Sequence, residues 1–497
     1  MNFPLKPSRL WLAISATLLL NGCVSAPDTP ETAAMLDGHH SDQQLGLSNQ
    51  PAQRIQAGWW QAFGDQQLNR LVAESLANNP SLAEALTRIR SAQAGILAST
   101  AAHQPGFSLD GNANYQRLSE NFTYPPAEAG FGVAGGDSVW MGKLGANMSW
   151  DLDFWGRHAN QLKQAKALAL AAELDHATAR LSISGAIAQS YVDLYSAYAY
   201  ADIAEKSQTQ REKILDITKN RVKAGLDTQV ELKTAEAALP QAHTARLQAE
   251  LQRDIAVHNL AALSGQGAEA YRDITRPQVN IDASLPLPNA LPLDLLSRRP
   301  DILAAKLRVE AANAGKASAK AAFYPDINLT AFAGFQSIGL DNLFDSGSAI
   351  YNVGPALHLP LFDAKRLKAG FFTASAELDH AIASYNDTVL KAIRDVANQL
   401  SRTASLSKQL NQAQLRLAAA EEAYRLAQSR YQAGLSSQLV VLRAEENLLS
   451  AQRDIVAITS NSLVARVTLL LTVGGSFDPQ QSSSINQAVN ASSGVSS

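Results

Sequence analysis

The chain has 497 residues, of which 46% are hydrophobic and only 6% aromatic, and its formal charge is −3. That balance leaves no basic footprint for nucleic acid, and its many alanines favour long helices packed through small side chains. Beyond the N-terminal segment there is no run of 18 or more consecutive apolar residues, so no helix is predicted to cross a bilayer and any crossing falls to strands.

The first element is a targeting segment. Lys6 and Arg9 precede the apolar stretch 10-LWLAISATLLL-20, too short for a transmembrane helix but right for a secretory signal. It runs into 20-LNGC-23, and Cys23 is the only cysteine of the chain. A cleaved leader with an incidental thiol nearby is one reading. A lipoprotein signal over 1–22, with Cys23 acylated after cleavage, accounts better for a lone cysteine followed by the linker-like 24-VSAPDTPET-32. Acyl chains contribute about 0.8 kcal/mol per buried methylene, enough in combination to hold an N-terminus at a membrane. Val24 stands where an aspartate would signal inner-membrane retention, which points to the outer membrane. A lipidated linker is expected over 23–60.

The rest is one unit written twice. At a spacing of 220, Pro80, Arg88, Pro105, Leu109 and Gln116 return as Pro300, Arg308, Pro325, Leu329 and Gln336. At a spacing of 204, 172-AELDHATA-179 meets 376-AELDHAIA-383, and at 209, 221-RVKAGLDTQVELKTAEAAL-239 meets 430-RYQAGLSSQLVVLRAEENLL-449. This drift places length changes between the blocks. Repeat 1 is expected over 60–265 and repeat 2 over 299–474, joined by a proline-rich connector at 266–298 and followed by a disordered Ser/Asn/Gln-rich tail at 475–497.

Each repeat reads as helix, strand, strand, very long helix, tip and returning helix. The first helix is predicted near 81–103 and again near 301–323, stopping before a proline. In 107–117, Phe107, Leu109, Ala113 and Tyr115 alternate with Ser108, Asp110, Asn112 and Asn114, the period of a strand with one apolar face. A second strand is predicted within 138–154, where Trp140, Leu144, Met148, Trp150 and Phe154 share one face and Lys143, Asn147, Asp151 and Asp153 the other. Repeat 2 gives strands at 327–336 and 350–362, the latter weakened by Pro355 and Pro360. Strands of this length with aromatics near the ends of the apolar face fit a membrane barrel; a soluble sandwich also alternates. Long helices follow at 156–223 and 363–432, roughly 100 Å each at 1.5 Å per residue. Shorter antiparallel helices return at 227–264 and 436–473. Gly225 and Gly434 sit where a helix C-terminus takes a left-handed residue, and Asp227 and Ser436 are placed to cap the returning helices.

Four membrane strands cannot close a cylinder, and open edges are not tolerated in lipid. Two copies would give eight strands, whose interior side chains fill; three give twelve and a lumen. The fold class is therefore α+β, mainly α. Two tandem repeats are expected to assemble, as a trimer, into a twelve-stranded β-barrel whose long helices continue it as a tube.

The segments 150-WDLDFWGR-157, 298-RRPDI-302, 323-FYPDINL-329, 354-GPALHLPLFD-363 and the two tips resemble the outer-membrane efflux protein family, the TolC-like outer-membrane factors of tripartite pumps, in particular the lipoprotein branch. The resemblance spans about 55–474. It implies a homotrimer with a twelve-stranded outer-membrane β-barrel, continued by a long periplasmic α-helical barrel with an equatorial belt. It also implies a periplasmic adaptor (membrane fusion protein) as partner, and an inner-membrane pump of resistance-nodulation or major-facilitator type. The adaptor-facing tips would be Ala224, Gly225 and Leu226 with Ala433, Gly434 and Leu435. Many members carry two aspartates on the second returning helix that ring the entrance; here Val440 and Arg443 stand in those places, which leans weakly to a major-facilitator partner. Arg443 near the constriction is expected either to pair with a carboxylate such as Glu231 or Glu236, or to be solvated.

The function expected is passive export of drugs or other toxic small molecules. A duct for peptide or protein secretion, or a periplasmic coiled-coil scaffold or adaptor lipoprotein, are the alternatives. No catalytic constellation, metal site or cofactor motif occurs: there is no HExxH, one cysteine excludes CxxC sites, and 130-GFGVAGG-136 does not open a helix. The His39-His40 pair reads as solvated. Any energy comes from a partner.

Overall fold

The computed structural model describes residues 27, 33–36, 55, 57–119, 138–280, 299–360 and 363–477. The signal segment, Cys23, the 130–136 loop, His39-His40 and the tail beyond 477 lie outside the described residues, as does most of the connector.

Seven helices and four strands are described: α1 (Gln66–Asn78), α2 (Pro80–Ala101), β1 (Gly106–Arg117), β2 (Ser138–Asp151), α3 (Arg157–Lys223), α4 (Gln229–Leu263), α5 (Pro300–Ala321), β3 (Asp326–Ile338), β4 (Ala349–His358), α6 (Ala364–Gln432) and α7 (Gln438–Thr472). Helix α1 is not among the predicted elements. It begins because Asp65 caps it, accepting from the Gln67 amide at 2.9 Å. Two strands stop short of expectation. β2 ends at Asp151 rather than 154, where the chain turns into α3 through Gly156 at φ 75°. β4 ends at His358 rather than 362, just before Pro360.

The chain divides into two compact units, and helices α2, α3, α5 and α6 contribute residues to both. The first unit (Arg90–Leu170 and Lys306–Ser384) holds the sheet, ordered β1-β2-β3-β4 and antiparallel throughout. Its register keeps the faces separate: Phe107 opposes Met148, Trp150 opposes Leu329 and Ala331 opposes Val353, while Ser108 opposes Asn147 and Lys143 opposes Gln336. Below the sheet, Phe323, Leu367 and Phe371 form a small core between α5 and α6.

The second unit (Met35–Ile89, Ala171–Ala305 and Tyr385–Ser497) is helical. Its core gathers Trp59, Phe63, Leu68 and Val72 with Ile187, Tyr191 and Leu194 of α3, Leu260 of α4, Val396 of α6 and Leu463 and Leu470 of α7. Asp65 also accepts the Tyr191 hydroxyl at 2.6 Å and the Gln278 amide at 2.7 Å, tying the start of the connector to this core. Gly185 lets α7 approach α3, since a Cβ there would meet Leu471 at 2.2 Å. Helix α7 does contain an 18-residue window of membrane-like mean hydropathy, 1.6. Its Leu463, Val467, Leu469 and Leu470 nevertheless sit in this core.

The sheet also corrects the spacing of the repeats. Phe107 opposes Met148 and Ile327 opposes Leu357, so a spacing of 220 from β1 to β3 becomes 209 from β2 to β4, the same as at the tips. Helices α3 and α6 are uninterrupted. A five-residue change inside a helix would turn its faces by about 140°, yet buried positions recur at 209, as in Ile187/Val396, Ala204/Ala413 and Leu215/Tyr424. The likeness of 172–179 to 376–383 at 204 is therefore not a structural equivalence.

Candidate functional site

The sheet is the first functional surface. On one face Phe107, Leu109, Tyr115, Trp140, Trp150, Tyr351, Val353 and Leu357 are exposed, with Tyr351 85% accessible. Tyr115 and Trp140 pack at one end, ring centroids 5.5 Å apart. Trp150 marks the other end, its indole donating to the His103 carbonyl at 3.1 Å. Ten residues at about 3.3 Å each, tilted about 40°, separate the two ends by ~25 Å, the height of the apolar band of an outer-membrane barrel. The opposite face is polar: Asp110 accepts from Ser108 at 2.7 Å and from Asn147. Phe332 is an aromatic residue on that face. It lies over Gly145 with the Lys143 ammonium 4.3 Å above its ring centre, filling the gap left by the missing Cβ.

Arg157 anchors the strand-to-helix junction. It reaches Asp151 of β2 at 2.6 Å and Asp326 of β3 at 3.0 Å, and His158 shares Asp151 at 2.8 Å. Beside it Trp155 stacks on Tyr324 (4.7 Å, 17°) and donates to the Pro325 carbonyl at 2.9 Å.

The tips form the second candidate surface. Gly225 and Gly434 adopt φ 72° and 78°. Leu226 donates to the Arg221 carbonyl at 2.9 Å and Leu435 to the Arg430 carbonyl at 2.8 Å. Both are Schellman closures, which require the left-handed residue that glycine supplies; they leave Leu226 and Leu435 about two-thirds exposed. The capping assignment needs correction. Thr228, not Asp227, caps α4, in a capping box with Glu231, and Ser437, not Ser436, precedes α7 and makes no side-chain cap. Asp227 is drawn elsewhere. Arg221 grips it with two bonds (2.8 and 3.0 Å), and the Tyr431 hydroxyl donates to it at 2.8 Å and meets the Thr218 hydroxyl at 3.1 Å. Arg221 also lies over the Tyr431 ring, 4.7 Å from its centre. The hydrogen bonds from Arg221 hold the Asp227 carboxyl below its ordinary range, and burial raises the Tyr431 phenol. One tip is thus bound to the other across the two repeats.

Glu231 is committed to its capping box and Glu236 pairs with Lys233 at 2.7 Å. Within the chain neither meets Arg443, which is exposed and has no partner among the described residues. Arg443 lines an open groove of about 880 Å³ with Arg211, Lys233, Leu439, Leu442 and Glu446, and Val440 is half exposed on the same first turns of α7. The carboxylate that does find an arginine is Glu445, fully buried, with Arg211 Nε 3.0 Å from its Oε2. The approach is off-line, so neither atom completes a hydrogen bond. Burial raises the Glu445 carboxyl despite Arg211, and pushes the nearby Tyr424 phenol up to about 12. Sequence reading missed this pair; its one signal was that Glu445 follows the buried rhythm Val441, Leu442, Leu448 of α7. Among the described residues no cluster of three metal-ligating side chains occurs.

Comparison with known proteins places this architecture. The family described as outer membrane efflux protein matches residues 71–266 and 291–475. The chain is 30% identical over 482 residues to the multidrug resistance outer membrane protein MdtP of Escherichia coli, covering 95% of this chain and 97% of that one. It is 29% identical over 486 residues to the probable efflux pump outer membrane protein TtgC of Pseudomonas putida, covering 97% and 98%. Among solved structures, the outer membrane protein VceC of Vibrio cholerae superposes with a TM-score of 0.79 at 33% identity, covering 85% of this chain and 100% of that one. The outer-membrane channel OprN superposes with a TM-score of 0.79 at 27% identity, covering 91% and 99%.

Proposed function

The chain belongs to the outer membrane efflux protein family, and from that membership we propose that it is the exit duct through which a tripartite pump expels toxic small molecules. Three copies form the outer-membrane channel. A periplasmic adaptor and an inner-membrane transporter of resistance-nodulation or major-facilitator type supply the substrate and the energy. The chain contributes no chemistry of its own: it offers a water-lined wall. The observation that carries this reading is the four-strand sheet with one exposed apolar face and two free edges, β1 and β4. Such a sheet is unstable in lipid until copies close it.

The relatives' printed names speak of multidrug resistance and of efflux, and they support drugs and toxic compounds as the cargo class rather than a secreted polypeptide. Cys23 is the proposed acylation site, which would make this a lipoprotein of the family. Ala224–Leu226 and Ala433–Leu435 are the proposed adaptor contacts, supported by the exposed Leu226 and Leu435. Val440 and Arg443 line the proposed entrance, giving it an apolar and cationic rim. Deleting the gene should sensitise cells to several unrelated toxic compounds, with resistance restored by the wild-type chain. The protein should fractionate with the outer membrane as a heat-sensitive trimer. Unchanged susceptibility together with periplasmic fractionation would sink the reading. For the rim, Arg443→Ala is expected to change channel conductance or vancomycin uptake.

A further inference from the structure

We infer that the seam between repeats inside the chain dictates, residue by residue, the seam between copies. Inside the chain, β2 of repeat 1 pairs with β3 of repeat 2, with Asn147 opposite Phe332, Ser149 opposite Thr330 and Leu144 opposite Phe335. The free edges, β4 and β1, are the repeat mates of these strands, displaced by 209 and 220 residues. Carrying each pair over places Ala356 opposite Asn112 of the partner subunit, His358 opposite Asp110 of the partner subunit, and Val353 opposite Tyr115 of the partner subunit.

Three independent features of the single chain agree with this register. It keeps the faces apart: Val353 and Tyr115 are both on the exposed apolar face, and His358 and Asp110 both on the polar one. A slip of one residue would turn every apolar side chain of β4 into the lumen. Two glycines then find the covers they lack. Gly145 is covered by Phe332, whereas its mate Gly354 has nothing within 4 Å; the carried-over register lays Asn112 of the partner subunit there. Gly315 of α5 is covered by Gln164 of α3, whereas its mate Gly95 of α2 faces open space. The mate of Gln164 is Thr373 of α6, which is exposed, so Thr373 of one copy seats on Gly95 of the next. Finally, the register sets an imidazole against a carboxylate. Asp110 already accepts from Ser108 and Asn147, and a donor from His358 adds a third bond, once per seam and three times around the barrel.

This inference rests on the trimeric barrel, and cysteine cross-linking separates the two. Directly opposed residues bring their Cβ atoms to about 4.5–5.5 Å, and diagonal neighbours stay at about 7–8 Å; only the first is within easy reach of a disulfide. Full-length trimer carrying Ala356→Cys with Asn112→Cys should convert, on addition of a thiol oxidant, to covalent dimers and trimers on a denaturing gel. Val353→Cys with Tyr115→Cys should do the same on the lipid face. Gly354→Cys or His358→Cys combined with Asn112→Cys, each slipped by two, should stay monomeric, as should each single variant. A heat-sensitive trimer that cross-links through a slipped pair, or through neither matched pair, overturns the register and leaves the barrel standing. Loss of the trimer in the unmodified protein would overturn the barrel itself.

Discussion

Replacing Arg211 with methionine keeps most of the side-chain stem and removes the charge that faces Glu445. Glu445 is fully buried and Arg211 about one-tenth exposed, and orphaning such a charge costs about 3–5 kcal/mol. The carboxyl has an escape, because it can take up a proton. From an ordinary value of 4.5, at 1.36 kcal/mol per unit, the escape costs about 3.4 kcal/mol at pH 7 and about 0.7 kcal/mol at pH 5. The loss is therefore capped by protonation and shrinks with acid. The sign follows from the raised carboxyl. The native state holds the proton longer than the unfolded chain, so its relative stability is full below about 4.5 and falls as pH rises towards the raised value. Amide hydrogen exchange, corrected for intrinsic rates, reads the opening of the first turns of α7. Protection over residues 438–449 should fall by up to about 300-fold at pH 7 and about threefold at pH 5, and Glu445→Gln in the same chain should restore much of it. An equal loss at both pH values, or none at pH 7, would refute the account.

The Asp227 contact behaves in the opposite sense. Its carboxyl is lowered chiefly by Arg221, so its contribution is present above the ordinary aspartate value and lost as pH falls through the lowered one; exchange over 221–228 should rise on acidification, and Asp227→Asn should abolish that rise. Gly225→Ala and Gly434→Ala each force a side chain into the left-handed region, costing about 1–2 kcal/mol, and should loosen the local amides without dissociating the trimer. Gly145→Val would set a Cβ 2.5 Å from the Phe332 ring and 2.9 Å from the Ala333 carbonyl. Overpacking of that kind costs about 1–3 kcal/mol or more, and the heat-sensitive trimer should be lost, with partial recovery in Gly145→Val combined with Phe332→Ala.

Alternation and turn chemistry are local, which is why the strands and the Ala-Gly-Leu tips could be read from the residues themselves. Trp140 and Trp150 fall on the same apolar face because a period of two leaves no other choice. Gly225 and Gly434 stand where only a left-handed residue closes the helix. What escaped reading depends on distant partners. Asp227 looked like a cap and is instead held by Arg221 and Tyr431, the latter 204 residues away. Thr228 took the cap because Glu231 completes the box. Glu445 gave no sign of its arginine, since Arg211 belongs to the other repeat. A shared Ala-Glu-Leu-Asp-His-Ala stretch even suggested a false alignment, because helices of small residues tolerate many near-matches.

Glu445 and its repeat mate Glu236 began as one position and now lead different lives, the first sealed against Arg211, the second partly exposed beside Lys233. An ancestral single-unit chain would have needed six identical pieces to make this wall, each obliged to treat that glutamate alike. Fusing the units halves the number of seams that must form between separate chains. It also lets adjacent staves of the same cylinder specialise, so that every second one can be stiffened while its neighbour stays free to meet whatever docks from outside.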